Sequence, residues 1–434
     1  MAKITLEPLQ HREAVEYFRS KGHAHELQRF HHLDHWREEH ARNWVVAKAG
    51  REDVSLAIRA AVDKQLAEGI PIEKAVADLA PRLQQMGWWG KAEMEDPVTG
   101  ETEVVQLGSM RRLRTIFDTN MRTAHAAGHW AAIQRTKQAF PYLHYIQIDR
   151  PTKRHAHTRF HDRIWQVDDP VWLRIYPPNG YFCGCIVLQR TEGWMRRNSR
   201  TPDAALDLEE EAWTHERSGE VHMIPRGIHP GFDTNPGATW LDLGDDWAAI
   251  TPDLSPERQA AERGLIEGLR LRRLSDGRET LIVTDDQSRP IHQWTAPVDR
   301  PEVVGFRRDD MPTLPSFFHS HITEGALSTD DLTALFQDAG HAITAITPGG
   351  SIWRAVRMQG QDLRPRLPEF TDRIAIFGEE LKRIDHGAEV FSHARLLWLE
   401  KIGTISYYWR MSSRVRQIMD GNADLIQRLI DARS

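Results

Sequence analysis

The two cysteines of this 434-residue chain, Cys183 and Cys185, stand only two positions apart. A bridge between such near neighbours is strained, and there is no third thiol, so a disulfide framework is excluded. The fold must be held by packed cores or by a metal, and this cysteine usage suits a reducing compartment. A chain of this length exceeds what one core supports, which predicts two or three domains. The pair closes the run Tyr176-Pro-Pro-Asn-Gly-Tyr-Phe-Cys-Gly-Cys185, a turn leading into a short strand. Upstream lie His155, His157 and His161.

His157 and His161 share a face if their segment is helical, and Cys183 and Cys185 share one if theirs is extended. Two imidazoles and two thiolates complete a closed tetrahedral zinc site with no open position for a reacting water. The same residues also fit a second reading, in which the histidines hydrogen-bond the chain and the cysteines pack as small hydrophobes.

The first 140 residues read as helices. Val54, Ile58, Val62 and Leu66 repeat in steps of four, then Gly69 and Pro71 punctuate, and Ile72, Val76, Leu79 and Leu83 form a second stripe. Asp96-Pro-Val-Thr-Gly100 reads as a loop or hairpin. A third helix over 109–138 carries Leu113, Phe117, Asn120, Ala124, Ala127 and Ala131 on one narrow, small-residue stripe. Arg111, Arg112, Arg114 and Arg122 make that helix basic, either as a solvated face or as a contact surface for acidic protein or phosphate. A strand follows from Tyr142 to Ile148, and 201–246 reads as an irregular linker or wrapping arm. Beyond Ser255 a helical start leads into strands beginning at Glu279, and 365–434 reads as helical. The early histidines His23, His25, His31, His32, His35 and His40 spread around a helix and read as a solvated, titratable face. The fold class expected is α+β, mainly helical in its first half.

The formal net charge is -6, which disfavours wholesale coating of nucleic acid. No stretch approaches ~18 consecutive apolar residues, and the first residues lack the apolar run of a signal peptide, so a soluble cytoplasmic product with no membrane partner is expected. Fifteen tryptophans lean toward a protein that docks into something larger, although cores also absorb tryptophan.

The run from Leu113 to Ala124 resembles the signature helix of the Mu F-like phage head morphogenesis family. Arg154–Asp162, Asp168–Trp172, Pro177–Gly180, Gly227–Phe232 and Asn235–Gly237 continue the resemblance in order, over roughly residues 1–240. Two positions depart from the family: its Asn-Cys-Arg-Cys is Phe182-Cys-Gly-Cys185 here, and the Gly after its second His is Asp162. The resemblance implies a low-copy protein of the phage head, made in the host cytoplasm, kept in the virion and placed near the portal vertex. Its implied partners are the portal or major capsid protein, with DNA contact left open.

Phe317-Phe-His-Ser-His321 is an apolar strand ending in His-x-His, followed by Ser328 and Asp331. This order resembles the metal centre of JAMM-type metallopeptidases. The resemblance implies zinc on His319, His321 and Asp331, with Ser328 orienting the reacting oxygen and an upstream glutamate, Glu267 or Glu279, as base. Here six residues separate His321 from Ser328 where the peptidases have seven, and Ile322 replaces their Pro. The expected division is therefore a head module over 1–248, an appended α+β domain over 249–361 and a helical region over 362–434. The appended domain is read as an inactive structural domain, a zinc hydrolase or a toxin.

Overall fold

The computed structural model describes residues 11–23, 30–242, 247–302, 304, 311–312, 314–337, 340–361, 377–384 and 386–431. The chain divides into two compact units, residues 1–242 and 243–434.

The first unit is helical at its start: α1 (Arg12–Ser20), α2 (Glu38–Arg42), α3 (Glu52–Glu68), α4 (Ile72–Gln85) and the 27-residue α5 (Met110–Thr136). The four-step stripe of α3 is buried, and Gly69 ends it in the left-handed region at φ 66°. Ser109 caps α5 by accepting the Arg112 N–H. The small-residue stripe lets neighbours approach α5 closely. A Cβ on Gly128 would meet the Ala14 backbone at 2.7 Å, and one on Gly237 would run into Trp130.

A two-residue parallel pair, β1 (Gly22–His23) and β2 (Asn43–Trp44), ties the early segments. The expected hairpin is β3 (Lys91–Glu95) with β4 (Thr102–Gln106). Next comes a three-stranded antiparallel sheet with β5 (Tyr142–Gln147) between β6 (Arg163–Gln166) and β7 (Cys185–Arg190). Short helices α6 (Trp172–Ile175) and α7 (Glu192–Arg197) flank β7 in sequence.

The stretch read as a linker is built differently. It folds into the hairpin β8 (Glu210–Thr214) and β9 (Val221–Pro225) and the helix α8 (Pro236–Leu241), whose cap Asn235 accepts the Gly237 and Ala238 N–H groups. Ile224, Ile228 and Trp240 are buried, and the Asp233 carboxylate pairs with Arg37. Its polar composition disguised these anchors, which are single apolar residues without a period.

In the second unit, α9 (Trp247–Ile250) and α10 (Pro256–Asp276) precede a six-stranded sheet. Its order is β11 (Pro290–Thr295), β10 (Thr280–Thr284), β12 (Ser316–Ser320), β13 (Ala342–Ile346), β14 (Ile352–Arg357) and β15 (Ile405–Arg410). The β12–β13 pair alone is parallel, and α11 (Thr329–Gln337) lies in its crossover. Alternate residues serve opposite faces. Ile282 and Phe318 pack with Ile266 and Leu269 of α10, while Leu281, Val283 and Phe317 pack with Leu332 and Leu335 of α11. Helices α12 (Gly387–Lys401), α13 (Ser413–Asp420) and α14 (Ala423–Asp431) share that second core. The helical reading of 365–434 missed β15, an edge strand whose Tyr407 is buried and Trp409 exposed. Residues 362–376 of that stretch lie outside the described residues.

Trp44, Trp165, Trp172 and Trp353 are among the largest fully buried side chains, so the tryptophan excess goes largely into cores. No helix among the described residues is long and apolar enough to cross a membrane.

Candidate metal centres

Two groups of three potential ligands converge among the described residues: His157 with Cys183 and Cys185, and His319 with His321 and Asp331.

The first group lies where β5 meets β7. Gln147, the last residue of β5, pairs with Cys185, the first of β7. Cys183 sits in the turn before it, after Phe182 at φ 55°. His157 lies on a 3-10 turn, His155–Phe160, and its Nδ1 is 3.7 Å from Cys183 Sγ and 3.5 Å from Cys185 Sγ. Its Nε2 donates to the Gly227 carbonyl at 3.0 Å, leaving Nδ1 bare toward the sulfurs. Two thiols this close share one proton. A hydrogen bond from Cys185 holds Cys183 well below the ordinary thiol range, while Cys185, donating to it, is pushed up.

His161 does not join this group. It is exposed, and its Nδ1 accepts the Gln147 N–H at 3.1 Å. The physical reason is the turn type. At three residues per turn, positions four apart point about 120° away from each other rather than along one face. The expected four-ligand site is a three-ligand one.

Sequence reasoning passed over Tyr145 and Arg150 here. The Tyr145 hydroxyl accepts from Asn179 Nδ2 at 2.8 Å and donates to Cys185. The Arg150 guanidinium donates to the Phe182 carbonyl and fills the space that a side chain at 184 would take. The family pattern has Arg between its cysteines. Here Gly184 stands there and a guanidinium arrives from Arg150 instead. The period-two count along β5 would have put Tyr145 on the core side. Nothing local marks Arg150.

The second group is assembled by sheet register. His319 pairs with Leu281, so residues 279, 281, 319 and 321 lie on one face, the one covered by α11. His319 Nε2 is 3.1 Å from Asp331 Oδ1, His321 Nε2 is 3.3 Å from Asp331 Oδ2, and the two Nε2 atoms are 2.8 Å apart. His321 Nδ1 donates to the Gly325 carbonyl at 3.0 Å, which again turns the other nitrogen inward. Burial pushes His321 down, but the Asp331 and Glu279 carboxylates outweigh it and lift it to about 8. Burial pushes Asp331 up, yet the two imidazoles hold it well below the usual carboxylate range.

Glu279 accepts the Ile322 N–H at 3.2 Å, and burial raises its carboxyl pKa against the pull of His321 and His319. Glu267 is exposed on α10 and paired with Arg263, so it has no part in the cluster. Ser328 is tied into a reciprocal cap: its N–H donates to Asp331 Oδ2 at 2.6 Å, and its hydroxyl accepts the Asp331 N–H at 3.1 Å. The serine thus holds the carboxylate in place and has its oxygen engaged.

The four arginines of α5 separate into two kinds. Arg112 donates to the carbonyls of Ala47, Gln106 and Leu107, and burial pulls its guanidinium down to about 10. Arg122 pairs with Asp118 at 2.8 Å and donates to the Cys183 carbonyl at 2.9 Å. Both brace the fold. Arg111 and Arg114 are exposed.

The early histidines do not share one solvated helix face: His35 is buried, His31 and His40 are half-buried and His32 is exposed. Only 38–42 is helical there, so His31, His32, His35 and His40 converge with Trp36 and Asn120 on a cavity of about 250 Å³. Burial lowers His40 to about 3 and His32 to about 4. Asn120 finds its partner within α5, donating to the Ile116 carbonyl at 2.9 Å. His25 and the His23 side chain lie outside the described residues.

Residues 57–188 match the family described as Phage Mu protein F like protein, a stretch containing α5 and the Cys-His cluster. The chain is 36% identical over 302 residues to the Putative capsid assembly protein F of Escherichia phage Mu, covering 62% of this chain and 66% of that one. It is 36% identical over 174 residues to the Mu-like prophage FluMu F protein of Haemophilus influenzae, covering 39% of this chain and 41% of the other. The matched stretches thus span under two thirds of each relative's length. No solved structure matches the chain.

Proposed function

We propose that this chain works in assembling the head of a Mu-like tailed phage, binding the portal or major capsid protein and remaining in the particle near the portal vertex. The observation that carries the reading is the Mu F-like match over 57–188, together with a relative that bears the name of a capsid assembly protein. The surface of the first unit supports it. The β3–β4 hairpin exposes most of both strands, with Val104 65% exposed, and Val221 and Met223 are exposed on the second hairpin. Two-stranded hairpins outside a larger sheet are marginal by themselves and gain from packing on a partner. Arg111 and Arg114 add an exposed basic stretch. The test is disruption of the gene in an inducible phage, followed by electron microscopy of the lysate. Loss of filled heads, restored by the gene in trans, is expected. Normal yields of filled heads without the gene would overturn the reading.

A second reading concerns the second unit, as a zinc hydrolase carried with the particle. It rests on one observation, the convergence of His319, His321 and Asp331 with Glu279 on the same sheet face. The comparisons do not support the metallopeptidase resemblance, so the side-chain arrangement stands alone. A zinc ion on those three ligands would supply a Lewis acid and a bound water. The Glu279 carboxyl, raised by burial, is suited to taking and returning a proton. The zinc-loaded full chain is assayed on a fluorogenic peptide library, with Glu279→Gln as control. Hydrolysis lost in the variant with zinc retained is expected. No hydrolysis by the zinc-loaded wild type would contradict this reading and leave head assembly untouched.

A further inference from the structure

We propose that the first unit binds one zinc ion through Cys183 Sγ, Cys185 Sγ and His157 Nδ1, with a single water-sized ligand in the fourth place.

Distance is the first argument. Tetrahedral zinc with bonds of about 2.3 Å to sulfur and about 2.0–2.1 Å to nitrogen puts sulfur and nitrogen roughly 3.5 Å apart. The two Sγ to Nδ1 separations are 3.7 and 3.5 Å, already those of a loaded site. All three ligand atoms lie within 4.8 Å of one another, and Cys183, Cys185 and His157 are each buried.

The surrounding hydrogen bonds are the second argument. The Gly227 carbonyl takes the proton of Nε2, which fixes the ring and frees Nδ1. The Tyr145 hydroxyl donates to Cys185, a contact that steadies a metal-bound thiolate. Such outer contacts commonly orient the ligands of a metal.

Space is the third. One side of the cluster opens on a void of about 10 Å³ lined by Gln147, Arg150, Lys153 and Arg154, and the two cysteines also border a larger cavity of about 490 Å³. The smaller void has room for one water, which places it as the fourth ligand. Two thiolates neutralise the ion, and the three cations around the void favour hydroxide or a small anion beside it. The role we assign to the ion is to hold structure. It clips the 3-10 turn to the start of β7, and through His157 to the turn at Gly227, where little regular secondary structure is available.

The test is cobalt titration of the reduced, metal-stripped full chain. These are the chain's only cysteines, so a thiolate-to-cobalt charge-transfer band reports this site and no other. One equivalent producing that band, with the intense visible bands of a tetrahedral ion, is expected. The band disappears in Cys183→Ser and persists in His161→Ala and His319→Ala. Because Cys183→Ser can fail to fold, zinc X-ray absorption on the wild type supplies an independent count of sulfur ligands, two for this zinc. Cobalt bound without a thiolate band, or no sulfur around the zinc, would overturn the proposal, including the case where metal occupies only the His319 cluster.

Discussion

His319 Nε2 and Asp331 Oδ1 lie 3.1 Å apart although one ends a strand and the other starts the helix after it. A carboxylate set against two imidazoles whose outer nitrogens differ in use, His321 bonded to Gly325 and His319 Nδ1 without a hydrogen-bond partner, is a ligand arrangement that a proton or a metal can complete. With zinc supplied, His319→Ala and Asp331→Asn should each lower bound zinc by one equivalent, and Glu279→Gln should leave it unchanged. Metal analysis of the dialysed proteins reads this directly. Unchanged zinc in both ligand variants would remove the cluster as a metal centre.

Ser328 is expected to act as a helix cap. Ser328→Ala should cost about 1 kcal/mol of stability through loss of the bond to the Asp331 N–H, with zinc uptake kept. Urea denaturation checks the first part. A stability unchanged within error would contradict the capping role.

Asp253 gives the second unit an acid-sensitive element. It shares Arg354, which is fully buried, with Glu262, at 3.1 and 3.2 Å. Burial pushes the Asp253 carboxyl up, but His341 and Arg354 outweigh it and hold it at about 2 against an ordinary 3.8. Between those values the unfolded chain binds more protons, so stability rises with pH there. The contribution is complete above 3.8 and is lost as pH falls through about 2. Asp253→Asn should be less stable than wild type at pH 6, with the gap narrowing as pH drops through that window. Urea midpoints at stepped pH decide it, and a constant gap would refute the assignment.

Gly237 matters for packing. Its Cβ would meet the Trp130 side chain and the Ala127 carbonyl on α5. Gly237→Ala should therefore lose about 1–3 kcal/mol through overpacking. Gly264→Ala on exposed α10, where a Cβ meets nothing within 4 Å, should gain about 1 kcal/mol from helix propensity. Equal effects in thermal unfolding would contradict this contrast.

Locally encoded features were the legible ones. The stripes of α3 and α5 follow from spacing, because burial of one face imposes a period, while the turn at Asp96–Gly100 shows in its Pro and Gly and the strand before His319 in its apolar run, buried on both faces. What escaped depends on contacts distant in sequence. Glu279 gained its context from the pairing of Leu281 with His319, and Arg150 from a turn 32 residues further on. His161 was misplaced because four-residue spacing says nothing about whether a turn is α or 3-10. The linker reading failed where isolated residues such as Ile224 and Trp240 anchor a polar segment.

The most direct test of the head-assembly account is quantitative mass spectrometry of gradient-purified proheads and mature particles. The account predicts this chain in both, at a fixed copy number far below that of the major coat protein. Its absence from both, with the chain free in the lysate beside normal particles, would contradict it.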